Sequence, residues 1–216
     1  MELTLPKENI LKQLIKQLSN FFEITDEDIR VLMSCVDEVL SKCEYNFEHS
    51  DNKYYKSRIG GGQFNPCHSV QYMIFLYYLS NLLYRQGGYN GLCDKVYYLN
   101  KIMNGVDLFY AIELPSVFGA EHPIGTIMGR GEYGDGFFFY QGCTVGGTRK
   151  NGKLHYPAIG RNVHMYAHSS ILGKCNIGDN VLIGAGCIVK NQDVPSNSIV
   201  FGQSPNLIIK KYDAIG

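Results

Sequence analysis

The chain of 216 residues has no net charge, no C-x-x-C pair and no apolar run long enough to span a bilayer. Twenty basic side chains balance twenty acidic ones, so the electrostatic footprint of a nucleic-acid or anionic-membrane binder is missing. Seven cysteines are an odd number, which argues against a disulfide framework and a zinc ribbon and for a reducing compartment. The start, Met1-Glu-Leu-Thr-Leu-Pro-Lys7, has no basic segment leading into an apolar one, and the expectation is a cytoplasmic protein without a secretory signal. The most apolar stretch, Tyr72 to Tyr84, is broken by Ser80 and Asn81 and is shorter than the roughly 20 residues of a membrane span. It reads as a buried or interface helix. Small molecules and proteins remain as partners.

With 45% hydrophobic residues the chain can bury an ordinary globular core. Helical spacing predicts amphipathic helices over 7–20 and 26–43, the second opening on the cap-like Thr25-Asp-Glu-Asp28. The polar stretch Ser50 to Pro66 contains Gly60-Gly-Gly62 and is expected to be a mobile connection. Helical patterns return over 68–85 and 91–103, with Gly87-Gly88 as the turn between them. Residues 1–105 are therefore expected to form a helical domain. Its tyrosines, among them Tyr72, Tyr77, Tyr78, Tyr84, Tyr97 and Tyr98, suit packing and subunit contacts.

Beyond a transition segment the period changes to six. The lead residues are Ile127, Tyr133, Phe139 and Val145, then, after a side loop over 148–158, Ile159, Met165, Ile171, Ile177, Ile183 and Val189. Small or β-branched residues recur four positions after the leads, including Cys143, Val163, Ser169, Cys175, Val181 and Cys187. Neither a helix, with a period of 3.6, nor a strand, with a period of two, produces this pattern. Six residues make one flat face of a coiled prism. One coil cannot bury its own interior, so coils stack, and their corners favour Gly, Asn and Asp, as in Ile159-Gly-Arg-Asn-Val163. A β-helix over 106–204 is expected, followed by a tail over 205–216 that lies outside the repeat.

Candidate chemistry lies in Asp107, His122 and His155. Three hexapeptides make a coil of about 18 residues, and an irregular transition segment would bring Asp107 to His122. The carboxylate would fix the imidazole tautomer and leave its other nitrogen free to take a proton. His155, on the side loop, would reach a neighbouring site. His164 and His168 raise a metal-site alternative, but four residues along a β-helix do not converge two imidazoles as a helix would, and no metal is assigned.

The run Phe139-Tyr-Gln-Gly-Cys-Thr-Val-Gly-Gly-Thr148 resembles the serine acetyltransferase family, which carries a very similar Tyr-Gln-x-x-Thr-Leu-Gly-Gly-Thr run. The order of features also resembles that family over roughly residues 64 to 210: a helical domain, Val106-Asp107, a histidine fifteen residues on, an extended loop with a histidine, then regular hexapeptides. The resemblance implies an α+β chain with an N-terminal helical domain and a left-handed parallel β-helix, an acetyl-CoA-dependent O-acetyltransferase with active sites between subunits. By position it implies His122 as general base, Asp107 as its orienting carboxylate and His155 approaching the same site. It places acetyl-CoA along Gly147, Ala167, Gly184 and Ala185, where small residues admit a flexible arm, with Lys190, Lys210 and Lys211 toward its phosphates. A homotrimer is the expected assembly.

Departures from the family bear on the acceptor. The family's Arg before the loop histidine, which binds the serine carboxylate, is Leu154 here, and Leu cannot supply a bidentate charge-assisted contact. The acidic neighbour of the catalytic histidine is Glu121, and the family's Asp-Pro is Asn65-Pro66. The segments Glu121 to Arg130 and Val200 to Asn206 resemble a branch associated with bacterial surface polysaccharides. The expectation is therefore a sugar or polysaccharide acceptor, with Glu121, Arg130, Tyr133 and Gln141 contacting it and Arg149 lining the groove. L-Serine is the alternative acceptor. A catalytically silent scaffold and a metal-dependent hydratase are readings from other classes.

Overall fold

A computed structural model describes residues 1–58, 60–87 and 90–211. The chain forms two compact units, one of Met1–Asn104 with Leu108–Ala111, the other of Gly105–Asp107 with the chain from Ile112 onward.

The first unit has four helices: α1 (Lys7–Phe21), α2 (Asp26–His49), α3 (Ser69–Gln86) and α4 (Asn90–Asn104). α2 starts at a capping box, with Thr25 Oγ1 accepting from Asp28 N–H while the Asp28 carboxylate accepts from Thr25 N–H, so two amides at the helix start are satisfied. It continues beyond the predicted end at residue 43 because Asn46 and Phe47 extend its buried stripe. α3 is buried on nearly all sides, from Val70 to Leu83. Its end is capped by Gly87 at φ 65°; Gly88, the other half of the expected turn, lies outside the described residues.

Where the segment Ser50 to Pro66 is described, it carries regular structure in place of the irregular connection expected from its glycines. It holds a short 3-10 helix (Lys53–Tyr55) and a strand (Gln63–Phe64) that pairs in parallel with Glu2–Leu3. Tyr55 and Phe64 are fully buried. Their rings pack on Phe47 at 5.0 and 6.4 Å, and Phe64 packs on Phe75 at 5.4 Å. Two aromatic anchors outweigh the disorder suggested by composition.

The second unit is the β-helix, with strands of two to four residues stacked into three sheets. The chain runs from a six-stranded face to a five-stranded face to a three-stranded face and back. Inward side chains form columns: Ala120, Phe139, Met165, Ile183 and Val200 on the first face, Met128, Val145, Ile171 and Val189 on the second, Tyr133, Ile159 and Ile177 on the third. All but Tyr133 are at most 4% exposed, and each large aliphatic lead so buried contributes on the order of 1.5–3 kcal/mol. Cys143, Cys175 and Cys187 are buried between these columns, and burial pushes the Cys187 thiol up to about 11.

One lead is corrected. Ile127 is 47% exposed, whereas Met128 is 1% exposed and stacks on Val145. Only five positions separate Met128 from Tyr133, so the period counted back from the regular coils slips by one at the Ile127–Met128 strand.

The corner between the three- and six-stranded faces carries an asparagine ladder. Asn162 Nδ2 donates to Asn180 Oδ1 at 3.0 Å and Asn180 Nδ2 to Asn197 Oδ1 at 2.9 Å, all three residues in the left-handed region, which asparagine tolerates better than most residues. After the last coil the chain reverses, and Ile208–Lys211 pairs antiparallel with Ser198–Phe201. Among the described residues no helix is long and apolar enough to cross a membrane.

Candidate active site

Two corners carry extra residues. On the edge between the six- and five-stranded faces, five positions separate Phe139 from Thr144, Met165 from Ser170 and Ile183 from Ile188, but seven separate Ala120 from Ile127. The first coil therefore has two extra residues there. His122 sits in this longer corner at φ 50°, its side chain 81% exposed. A left-handed backbone is uncommon outside glycine, and histidine is among the residues that adopt it. Every other described non-glycine residue with positive φ is asparagine except His168.

Around His122 the sheet register assembles a cluster. Glu121 N–H donates to Phe139 O at 3.1 Å, which places Glu121 beside Tyr140 on the next coil. The Glu121 carboxylate lies 3.8 Å from His122 Nε2. Burial raises the Tyr140 phenol above its ordinary value, and the neighbouring Glu121 charge and hydrogen bond push it further in the same direction. Tyr140 in turn stacks on Tyr166, centroids 5.3 Å apart and planes 15° from parallel. Gln141 occupies the same edge, its carbonyl accepting from His168 N–H at 2.8 Å, and the His168 ring covers the bare Cα of Gly142. Asp107 lies on the outermost strand of the five-stranded face, its N–H donating to Thr126 O at 2.8 Å, four residues beyond His122.

The second interruption is on the opposite edge of the five-stranded face. Five positions separate Ile171 from Asn176, whereas thirteen separate Val145 from Ala158. The added chain is the side loop, and it forms an antiparallel hairpin of Thr148–Lys150 and Lys153–His155. Its register sets Leu154 opposite Arg149 and His155 opposite Thr148. Directly opposed residues of a hairpin share one face, so Arg149 projects on the same side as Leu154. The hairpin base is tied by Thr148 Oγ1 donating to Asn191 Oδ1 at 3.0 Å.

The predicted site residues thus fall on two edges. Glu121, His122 and Gln141 gather at one; His155 and Arg130 lie at the other. Tyr133 is on the three-stranded face with its hydroxyl donating to Gly129 O at 2.5 Å. The donor residues divide in the same way, with Ala167, Gly184 and Ala185 on the His122 edge or beside it and Gly147 and Lys190 on the hairpin edge. Lys210 and Lys211 are exposed on the final antiparallel strand.

Two of the small residues do not leave the open surface expected of them. A methyl group at Gly147 would meet the Tyr156 ring at 2.7 Å, and one at Gly184 would meet the Phe201 ring at 2.7 Å. Their smallness is already used by the chain's own aromatics. His164 stacks on Phe138 at 5.3 Å, on a different row from His168, and among the described residues no group of three His, Cys, Asp or Glu side chains is placed to hold a metal. Sequence reasoning missed Tyr140, Tyr166 and Tyr156. The first two were within reach, because the six-residue period sets Tyr140 and Tyr166 on neighbouring coils once the hairpin is taken out.

Comparison with known proteins bears out the resemblance to serine acetyltransferases. A serine acetyltransferase of Synechococcus elongatus is 36% identical over 106 residues, 49% of this chain and 43% of that protein. One of Staphylococcus aureus is 31% identical over 139 residues, 64% of either chain. The chain thus spans less than two thirds of the length of these relatives. Serine acetyltransferase structures from Brucella abortus and Neisseria gonorrhoeae superpose with TM-scores of 0.72 and 0.70, at 21% and 24% identity, over 97% and 92% of this chain and 85% and 78% of theirs. They share the fold, a helical N-terminal unit followed by a β-helix. No protein-family model matches the chain. The expectation of a sugar or polysaccharide acceptor is overturned, because the curated relatives are named serine acetyltransferases and none of these findings points to a glycan.

Proposed function

We propose that this chain transfers the acetyl group of acetyl-CoA to the hydroxyl of L-serine, with His122 as general base. The observation that carries the reading is the two-residue corner insertion that projects His122 outward beside Glu121. The similarity to proteins named serine acetyltransferase supports the reaction, and a similar solved structure is a serine acetyltransferase in complex with CoA. His122 Nε2 takes the hydroxyl proton as the oxygen attacks the thioester carbonyl. The tetrahedral intermediate then collapses, and the imidazolium returns its proton to the departing CoA thiolate. Asp107 holds the imidazole in the tautomer that leaves Nε2 free. Glu121 meets the serine ammonium, and Arg149 of the partner subunit, on the same hairpin as the partner's His155, takes the carboxylate for which position 154 has no arginine.

The assembly that fits this reading is a homotrimer with sites between subunits. His122 and His155 lie on opposite edges of one face in a single chain, and the donor residues are divided between the same edges. A neighbouring copy that sets its hairpin edge against the His122 edge completes the set, with His155 of the partner subunit approaching the base. The test measures O-acetylserine by mass spectrometry. His122→Asn is expected to lower kcat by at least about 10²-fold, and mixing refolded His122→Asn and His155→Ala chains to regain activity that neither has alone. Undiminished turnover by His122→Asn overturns the base assignment, and no recovery on mixing overturns the shared site.

A further inference from the structure

Thr126 closes the lengthened corner that carries His122, and the proposed reaction gives it no role. It is polar yet only 1% exposed, and each of its polar groups is committed. Its amide donates at 3.2 Å to the carbonyl of Pro123, the residue after His122, and its own carbonyl accepts from Asp107 N–H at 2.8 Å. Its hydroxyl donates to Tyr140 O, on the next coil, at 2.8 Å. One residue thus joins the turn of the histidine, the strand of the aspartate and the coil that follows.

The register shows what this position is elsewhere in the prism. Ile127 pairs with Thr144, Thr144 with Ser170 and Ser170 with Ile188, so Thr126 occupies the slot filled on later coils by Cys143, Ser169 and Cys187. Cys143 reaches the equivalent carbonyl of its own next coil, Tyr166 O, at 3.2 Å, but a thiol is a weak donor and a hydroxyl a full one. The lengthened corner has two residues without a counterpart on the next coil, and the Thr126 hydroxyl pins its far end. The near end is held separately, by Glu121 N–H donating to Phe139 O at 3.1 Å.

From these bonds we infer that Thr126 is a positioning residue: its hydroxyl, fixed to Tyr140 O, holds the peptide on which the Asp107 strand hangs and so sets Asp107 against His122. The inference rests on the reading of Asp107 as the carboxylate that orients the base. Thr126 is buried and touches neither acetyl donor nor acceptor. Its effect reaches the reaction through the Asp107 amide. Without the hydroxyl, Tyr140 O loses a donor inside the prism and the peptide at 126 is free to shift. Asp107 shifts with it, while His122 stays with the separately held end of the corner. Small displacements of this kind are costly in a site that works by orientation.

The test compares three replacements. Thr126→Val keeps the shape of the side chain and removes the donor, Thr126→Ser keeps the donor, and Thr126→Cys supplies the weaker donor of the same slot one coil on. Hydrogen–deuterium exchange, with fragmentation that isolates the Asp107 amide, is expected to be about tenfold faster in Thr126→Val, within about twofold of wild type in Thr126→Ser and intermediate in Thr126→Cys. In serine turnover Thr126→Val is expected to lower kcat by about tenfold with KM for acetyl-CoA within about twofold. In an Asp107→Asn background it is expected to cost nothing further, since both changes act through one carboxylate, whereas a general loosening of the prism would add to the loss. Unchanged exchange at Asp107 in both Thr126→Val and Thr126→Cys, a loss of kcat as large in Thr126→Ser, or full additivity with Asp107→Asn would overturn the inference. Exchange is read without substrate, so faster exchange in Thr126→Val together with no serine turnover by wild type overturns the proposed reaction and leaves the hold of Thr126 on Asp107 standing.

Discussion

Replacing Gly173 by alanine tests how the hairpin is held to the prism. Gly173 has φ +79°, and a methyl group there would be driven into Asn191 Oδ1 and Thr148 Oγ1, the two atoms whose hydrogen bond ties the hairpin base. Two costs combine. A left-handed alanine costs roughly 1–2 kcal/mol, and disrupting the tie, which also accepts from Lys174 N–H at 3.1 Å, adds about 0.5–1.5 kcal/mol. Gly173→Ala should therefore lose about 2 kcal/mol or slightly more. With an m-value near 2 kcal/mol/M, that moves the urea midpoint down by about 1 M. Gly152, at the hairpin tip, is the control: its φ is +77° and nothing lies within 4 Å of an added methyl group, so Gly152→Ala should show the backbone cost alone. The assay is urea unfolding followed by circular dichroism. Equal midpoints for the two variants would refute the claim that contact with Asn191 and Thr148 matters.

Other consequences can be measured in the same way. Met128→Ala should cost about 2–5 kcal/mol as a buried large-to-small change, while Ile127→Ser should stay within about 0.5 kcal/mol; the reverse ranking would restore Ile127 as the inward lead. His122→Ala should be less stable than His122→Asn, since asparagine tolerates the left-handed backbone at this corner, and equal thermal midpoints would remove that argument. Asp28 gives the first unit an acid-sensitive element. Burial raises its carboxyl, but hydrogen bonds from Thr25 and from Lys95, at 3.0 Å, outweigh burial and hold it below the ordinary range. A depressed folded-state value contributes stability that is present above the unfolded value of about 4 and lost as pH falls through the folded one. Asp28→Asn should flatten the acid limb of stability against pH, and an unchanged limb would contradict the pairing.

The β-helix was legible because one coil repeats the chemistry of the next. Six-residue spacing of Ile159 through Val189 reports the inward columns directly, and all of these residues are buried. The same spacing misassigned Ile127, because the segment from Met128 to Tyr133 is one residue short and the count passes through it unseen. Composition misled over Ser50 to Pro66, where three glycines outnumber the two aromatic anchors but do not outweigh them. His122 could be singled out as a candidate base, but its corner insertion shows only when strand register is known. Along the chain Leu154 marks the loss of a cation; its neighbour across the hairpin, Arg149, is visible only once the strands pair. The division of the site residues between two edges was equally hidden, since sequence order says nothing about which corner of a prism each occupies.

The most direct test of the account is thiol release from acetyl-CoA by the purified protein with L-serine as acceptor, in wild type and in His122→Asn. Release should depend on serine and fall by at least about 10²-fold in the variant. Release that does not depend on serine, or that survives loss of the imidazole, would contradict it.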